Sequence, residues 1–245
     1  MKKQYYMPQQ SSNIKIAIMQ PYFFPYLGYW QLISAVDKFV VFDDVNYIKR
    51  GWINRNRILL NGKDYLFTLP LKGASQNKLI NEIEVDGLNK WVEKFVQTIE
   101  AAYKKAPQYI SVFDLLCRCF EYEEYNLSAF VTNSIKAVCS YLYIKTEIIP
   151  TSTIYDTREL KKDEKILSIC RQEKATGYIN PAGGQELYDK EKFLQNGIEL
   201  SFLKMKSFKY RQFDNEFIPA LSIIDVLMFN EKEEVQKYLL KYELL

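Results

Sequence analysis

The chain of 245 residues contains no histidine. That absence removes the Ser-His-Asp and Cys-His catalytic arrangements and every zinc site built on imidazole. Acid-base work falls to Asp, Glu, Lys, Tyr or Cys. Cysteine is scarce too. Cys117, Cys119, Cys139 and Cys170 form no CxxC pair and lie in helix-period segments, so they read as reduced packing residues, not as a redox pair or metal site. No window approaches the roughly 18 consecutive apolar residues of a membrane span. The first residues, MKKQYYMPQQSSN, have two lysines but no apolar core, which argues against a signal peptide and for a soluble cytoplasmic protein. Excess charge is missing as well: 33 Lys and Arg against 30 Asp and Glu leave +3, too little to argue for duplex nucleic acid. Any basic site is local.

What is present is a core-forming composition, 48% hydrophobic, organised around the stretch from Ile14 to Arg57. An apolar run, IKIAIMQ, leads through the aromatic loop PYFFPYLGYW and the helical phase QLISAV to a second apolar run, KFVVF. Two short apolar runs joined by a turn and a helix predict a βαβ unit with both strands buried. Residues 1–13 are polar and read as a loose tail, and residues 14–245 as a single α/β domain. Asn61-Gly62 between RILL and KDYLFTLPL predicts a β-hairpin, and INEIEV alternates as a half-buried strand would. A helical section at about 86–143 holds three helices, the first carrying Trp91, Phe95, Ile99 and Tyr103 at helical spacing. The α/β order then resumes: IKTEIIP as a strand, a helix over 162–174 capped near Gly177, GYIN as a strand, a turn at Pro181–Gly184, the helix QELYDKEKFLQ, the strand IELSFLKM, and a final amphipathic helix, EEVQKYLLKYELL. The expected fold is α/β, with an open, mostly parallel Rossmann-like sheet, a β-hairpin and a helical layer.

Open α/β sheets bind ligands beyond the carboxyl ends of their strands, and chemistry-bearing residues gather there. Asp43-Asp44 ends the second strand. Successive strand residues face opposite ways, so one carboxylate can enter a cleft as a base while the other supports it or caps the next segment. The alternative is that both cap a loop and balance nearby arginines. From Asn46 to Lys63 the chain has five basic residues and no acidic one. Arg55, Arg57, Lys49 and Arg50 there can hold phosphate while Trp52 stacks, an arrangement suited to a nucleotide or nucleotide-sugar, or they line a solvated hairpin face. Asn54 joins this set, unless the local asparagines serve only as turn residues. The aromatic loop offers Gln20, Tyr22, Tyr26 and Tyr29, with Gly28 admitting a backbone or ligand at the helix start; a hydrophobic plug over the sheet is the other reading. Asn180, Gly183 and Gly184 in the NPAGG turn are compatible with an anion nest or a plain turn. Asp225, in the apolar run LSIIDVLMF, needs an internal partner or anchors a basic loop residue.

Taken together, QPYFFPYLGYW, DDVNYIKRGWINRNRI, YINPAGGQELY and LSIIDVLMFN resemble the WbqC-like family of bacterial proteins, over about Ile16 to Asn230. The resemblance implies a role in O-antigen or other surface-polysaccharide biosynthesis, with attachment of an acyl or aminoacyl group to an amino sugar as the expected reaction. The family's His-Pro-type element is replaced here by FKYRQF. More remotely, Tyr26-Leu27-Gly28-Tyr29 is similar to the HxGH signature of nucleotidyltransferase-like proteins, with tyrosine in place of both histidines.

The resulting expectation is an enzyme that forms an amide on a nucleotide-linked amino sugar, using an acyl donor that is an ATP-activated, acyl-phosphate, aminoacyl or CoA species. No metal is called for, and a homo-oligomer is compatible with the sequence. Two competing readings are a noncatalytic glycan-precursor binding or scaffold protein and a small RNA-binding module.

Overall fold

A computed structural model describes residues 13–160, 162–214 and 216–245; the expected tail lies outside them except for Asn13. The βαβ unit is β1 (Lys15–Met19), α1 (Leu27–Ser34) and β2 (Lys38–Val41). The chain then leaves the sheet for the hairpin β3 (Arg55–Leu60) and β4 (Lys63–Thr68), the short pair β5 (Leu71–Lys72) and β6 (Glu84–Val85), and three helices: α2 (Leu88–Tyr103), α3 (Tyr109–Phe120) and α4 (Leu127–Tyr141). It returns as β7 (Glu147–Ile149), α5 (Lys162–Gln172), β8 (Gly177–Pro181), α6 (Lys190–Gln195) and β9 (Glu199–Met205). The last elements are α7 (Ile223–Phe229), α8 (Lys232–Leu239) and β10 (Tyr242–Leu244).

The central sheet has six strands in the order β10-β9-β8-β1-β2-β7, parallel throughout except for β10. Its register pairs Ile16 with Lys38 and Met19 with Val41. Because β2 and β7 lie on one side of β1 while β8 and β9 lie on the other, the strand order reverses between β1 and β8. That reversal opens a crevice at the carboxyl ends of the strands.

Alternation of side chains along each strand sorts the core into two layers. Ala17, Phe39, Val41, Ile179 and Leu203 face α1, α7, α8 and the helical section, whereas Ile16, Ile18, Val40, Tyr178 and Phe202 face α5 and α6. Each fully buried large apolar side chain contributes about 1.5–3 kcal/mol. Trp30, Phe23, Phe24 and Phe130 concentrate that contribution on the first face. In the hairpin turn Asn61 and Gly62 have φ of 52° and 72°, the left-handed pair that two-residue hairpins favour.

Local expectations fail where short-range signals compete with pairing. Gly177 is the first residue of β8, not a helix cap, and the left-handed position after α5 is Lys174 at φ 55°. The segment after Gly184 is no continuous helix: a 3-10 turn over Ala182–Leu187 gives way to α6, which restarts at Asp189, whose side chain accepts from the Glu191 N–H. INEIEV splits into a 3-10 turn over Ile80–Glu82 and the two-residue β6. The final helix stops at Leu239, and Tyr242–Leu244 pairs antiparallel with β9. There the edge-strand hydrogen bonds outweigh the helical pattern of YELL. Among the described residues no helix is long and apolar enough to cross a membrane.

Candidate functional site

The aromatic loop after β1 is stitched in place from three directions. The Phe23 N–H donates to the Ile53 carbonyl at 3.0 Å, and the Ile223 N–H donates to the Pro25 carbonyl at 2.9 Å. The Phe24 carbonyl accepts from Asn56 Nδ2 at 2.5 Å and from Ser222 Oγ at 2.7 Å. Phe24 itself has φ 42°. A left-handed aromatic residue costs on the order of 1–3 kcal/mol and persists where its surroundings over-determine it, as these hydrogen bonds do.

This stitching brings the loop and the basic hairpin together. The Tyr22 ring lies 6.2 Å from Trp52, 6.5 Å from Tyr26 and 6.0 Å from Tyr29. Arg55 and Arg57 lie 5.3 Å and 5.9 Å from the Trp52 ring centre, while Trp52 remains 45% exposed. Arg55 Nε donates to the Gly51 carbonyl at 2.8 Å, and its Nη2 donates to the Arg50 carbonyl. Arg57 pairs with Asp64 at 3.0 Å, and its Nε–H is enclosed without a partner. An open indole face flanked by two guanidiniums is suited to an anionic group carried by a ring. Burial and the neighbouring Tyr26 raise the Tyr22 pKa, Arg57 and Arg55 pull it down, and the net shift is upward, so its hydroxyl stays protonated.

Other candidates have different surroundings. Tyr29 is buried against Phe39 with its hydroxyl on the Gln20 carbonyl at 2.8 Å, which leaves its ring no free stacking face. At Gly28 the approaching group is the Tyr26 ring, which a Cβ would meet at 2.5 Å. Asn54 ties the Leu69 carbonyl at 2.7 Å and accepts from the Tyr47 hydroxyl. Lys49 and Arg50 are exposed. Asn180 donates to the Tyr178 hydroxyl at 2.7 Å and lies so close over Gly184 that a Cβ there would meet its Oδ1 at 2.2 Å, while Gly183 is open to solvent. The NPAGG turn therefore flanks the crevice beside Gln20, because β8 pairs with β1.

The two aspartates do point to opposite faces. Asp43, buried on the α4 side, accepts from Ser128 Oγ at 2.7 Å, Thr151 Oγ1 at 2.8 Å and the Ser152 N–H at 3.0 Å. Asp44 turns to the α5 side, pairs with Lys165 at 2.7 Å and accepts from Ser152 Oγ. Sequence reasoning missed Lys165, Ser128 and Ser152, which are distant in the chain; the polar run Thr151-Ser152-Thr153 directly after a strand was the one available signal. Asp225 has no basic partner among the described residues. Tyr103, Tyr210 and Gln212 donate to it at 2.7, 2.5 and 2.7 Å. Burial pushes the thiols of Cys119, Cys139 and Cys170 up to about 12, so none supplies a thiolate at neutral pH. Among the described residues no three His, Cys, Asp or Glu side chains gather as a metal site.

The WbqC-like protein family matches residues 20–237, a span that holds both the aromatic loop and the arginine hairpin. The chain belongs to this family. It is also 33% identical over 229 residues, 92% of this chain and 97% of the relative, to the uncharacterized protein Rv1507c of Mycobacterium tuberculosis. No solved structure matches it. In this WbqC-like protein the aromatic loop meets the arginine segment through Tyr22 and Trp52 and is held by Ser222 and Ile223 of the LSIIDVLMFN run.

Proposed function

We propose that this WbqC-like protein binds a nucleotide-linked amino sugar in the cytoplasm and attaches an acyl or aminoacyl group to the sugar nitrogen in surface-polysaccharide biosynthesis. The observation that carries the reading is the exposed Trp52 face flanked by Arg55 and Arg57. Trp52 stacks on the base or sugar, and the two guanidiniums take the diphosphate. The amine then attacks the donor carbonyl; the C–N bond forms, the bond to the donor's leaving group breaks with its electron pair on that group, and the proton from nitrogen passes to the departing group. Asp43 and Asp44 are the carboxylates at the strand ends. With their oxygens already engaged by hydroxyls, an N–H and Lys165, the role that fits them is to fix the ends of β2 and β7 around the acceptor.

A thermal-shift series with UDP- and dTDP-linked amino sugars tests the binding half. A ligand at 100 times its Kd adds about 2.7 kcal/mol. The expected result is stabilisation that Trp52→Ala and Arg57→Ala abolish, followed by a mass increase on the sugar when ATP-activated or CoA donors are added. Stabilisation of equal size in Trp52→Ala would remove the stacking site. The engaged state of both aspartates also favours a second reading, a noncatalytic precursor-binding protein, for which the sugar nucleotide binds but no donor changes its mass.

A further inference from the structure

A cavity of about 540 Å³ opens between α4 and the ends of β2 and β7. Its volume lies in the range of small-molecule sites, roughly 300–1,000 Å³. Its walls are unlike those of the arginine hairpin, because amides and hydroxyls dominate and Lys136 is the one basic residue. Ser128, Thr132 and Lys136 recur every four residues and so share one face of α4. Ser128 and Thr132 are only 2% and 3% exposed, which sets this stripe apart from an ordinary solvated helix face. Ser128 is accounted for by Asp43. The Thr132 hydroxyl is not: the residue lines the cavity, and its hydroxyl is enclosed with no hydrogen-bond partner, although a helical threonine can return its hydroxyl to the preceding turn.

A buried hydroxyl without a partner costs about 1–3 kcal/mol, a cost offset when a ligand supplies the missing hydrogen bond. Asn81 offers a side-chain amide free of partners among the described residues. Asn133 donates to the Cys119 carbonyl at 3.2 Å and keeps its amide oxygen available. Tyr122, 41% exposed, adds an aromatic face to the lining. Amides and hydroxyls, with one carboxylate at Asp43 and one ammonium at Lys136, are groups that match vicinal hydroxyls. A diphosphate would need more than one lysine, and an apolar ligand would strand the amides.

We infer that this cavity is a binding site for a free monosaccharide unit, separate from the Trp52 cluster. The inference does not rest on the nucleotide-sugar reading. It is tested by isothermal titration of the full chain with glucose, galactose, glucosamine and N-acetylglucosamine, using Thr132→Val, Asn81→Ala and Trp52→Ala. At least one sugar binds, and Thr132→Val and Asn81→Ala each weaken it roughly three- to tenfold, as loss of one ligand hydrogen bond does. Trp52→Ala leaves that affinity unchanged. Thr132→Val is isosteric and retains or raises the melting temperature, so weaker binding is not a folding defect. Absence of binding by all four sugars overturns the site, as does a loss that follows Trp52 and spares Thr132. Either result leaves nucleotide binding at the hairpin to be judged by its own assay.

Discussion

Asp44 and Asp225 are both removed from water, yet the fold compensates them differently. Asp44 faces a cation: its side chain and that of Lys165 are each 9% exposed and meet at 2.7 Å. Asp225, 0% exposed, faces three neutral donors from Tyr103, Tyr210 and Gln212. An ion pair depends on both partners being present, because removing one strands a buried charge. A carboxylate held by neutral donors can shed its charge by taking a proton. Burial raises the Asp225 pKa, and the hydrogen bonds from Tyr210, Tyr103 and Gln212 only partly oppose this. The first arrangement is a rigid tie between β2 and α5; the second is a titrating one beneath α7.

The largest expected effect is at the ion pair. Lys165→Met should destabilise the fold by about 3–5 kcal/mol in urea unfolding, and adding Asp44→Asn should restore most of it. A single-variant cost below about 1 kcal/mol, the range of exposed pairs, would erase the contrast. Asp225→Ala should cost about 2–3 kcal/mol, since it leaves buried donors without an acceptor. Tyr210→Phe, which removes one donor of three, should cost about 1 kcal/mol.

The smallest effect is one of pH. The folded-state pKa of Asp225 is raised above its ordinary 3.8, so the folded chain binds the proton more tightly than the unfolded one. Its contribution to stability therefore grows as pH falls through the raised value toward 3.8 and is lost as pH rises again. Melting curves of the wild type and Asp225→Asn should converge in that direction, with the wild type gaining relative to the variant at lower pH. Parallel curves across that window would show that the neutral donors hold Asp225 as firmly as a cation would.

Much of the fold was legible because it depends on short-range patterns. The buried runs around Ile16 and Phe39, the helical phase between them and Asn61-Gly62 each state their local structure within a few residues. Legibility failed at Tyr242–Leu244, where a helix-like pattern was drawn into pairing with β9, and at Gly177, where a cap signal was overridden by pairing with β1 and β9. The site divides in the same way. That Trp52 lies just before the strand that carries Arg55 and Arg57 follows from their spacing. That Tyr22 lies against Trp52, Lys165 against Asp44 and Thr132 over the Asp43 cavity depends on contacts spanning 30 to 121 residues, about which local pattern is silent.

By itself, then, the sequence determined the alternation of buried strands and helices, the left-handed hairpin turn and the absence of any imidazole chemistry, because these rest on side-chain type and on periods of two and 3.6 residues. Only the tertiary structure decided the reversal of strand order between β1 and β8, the partners of Asp43, Asp44 and Asp225, and the orphaned Thr132 hydroxyl. Those depend on which distant segments the closed core brings within hydrogen-bond reach, and a buried polar group takes its character from that neighbour and not from its place in the chain.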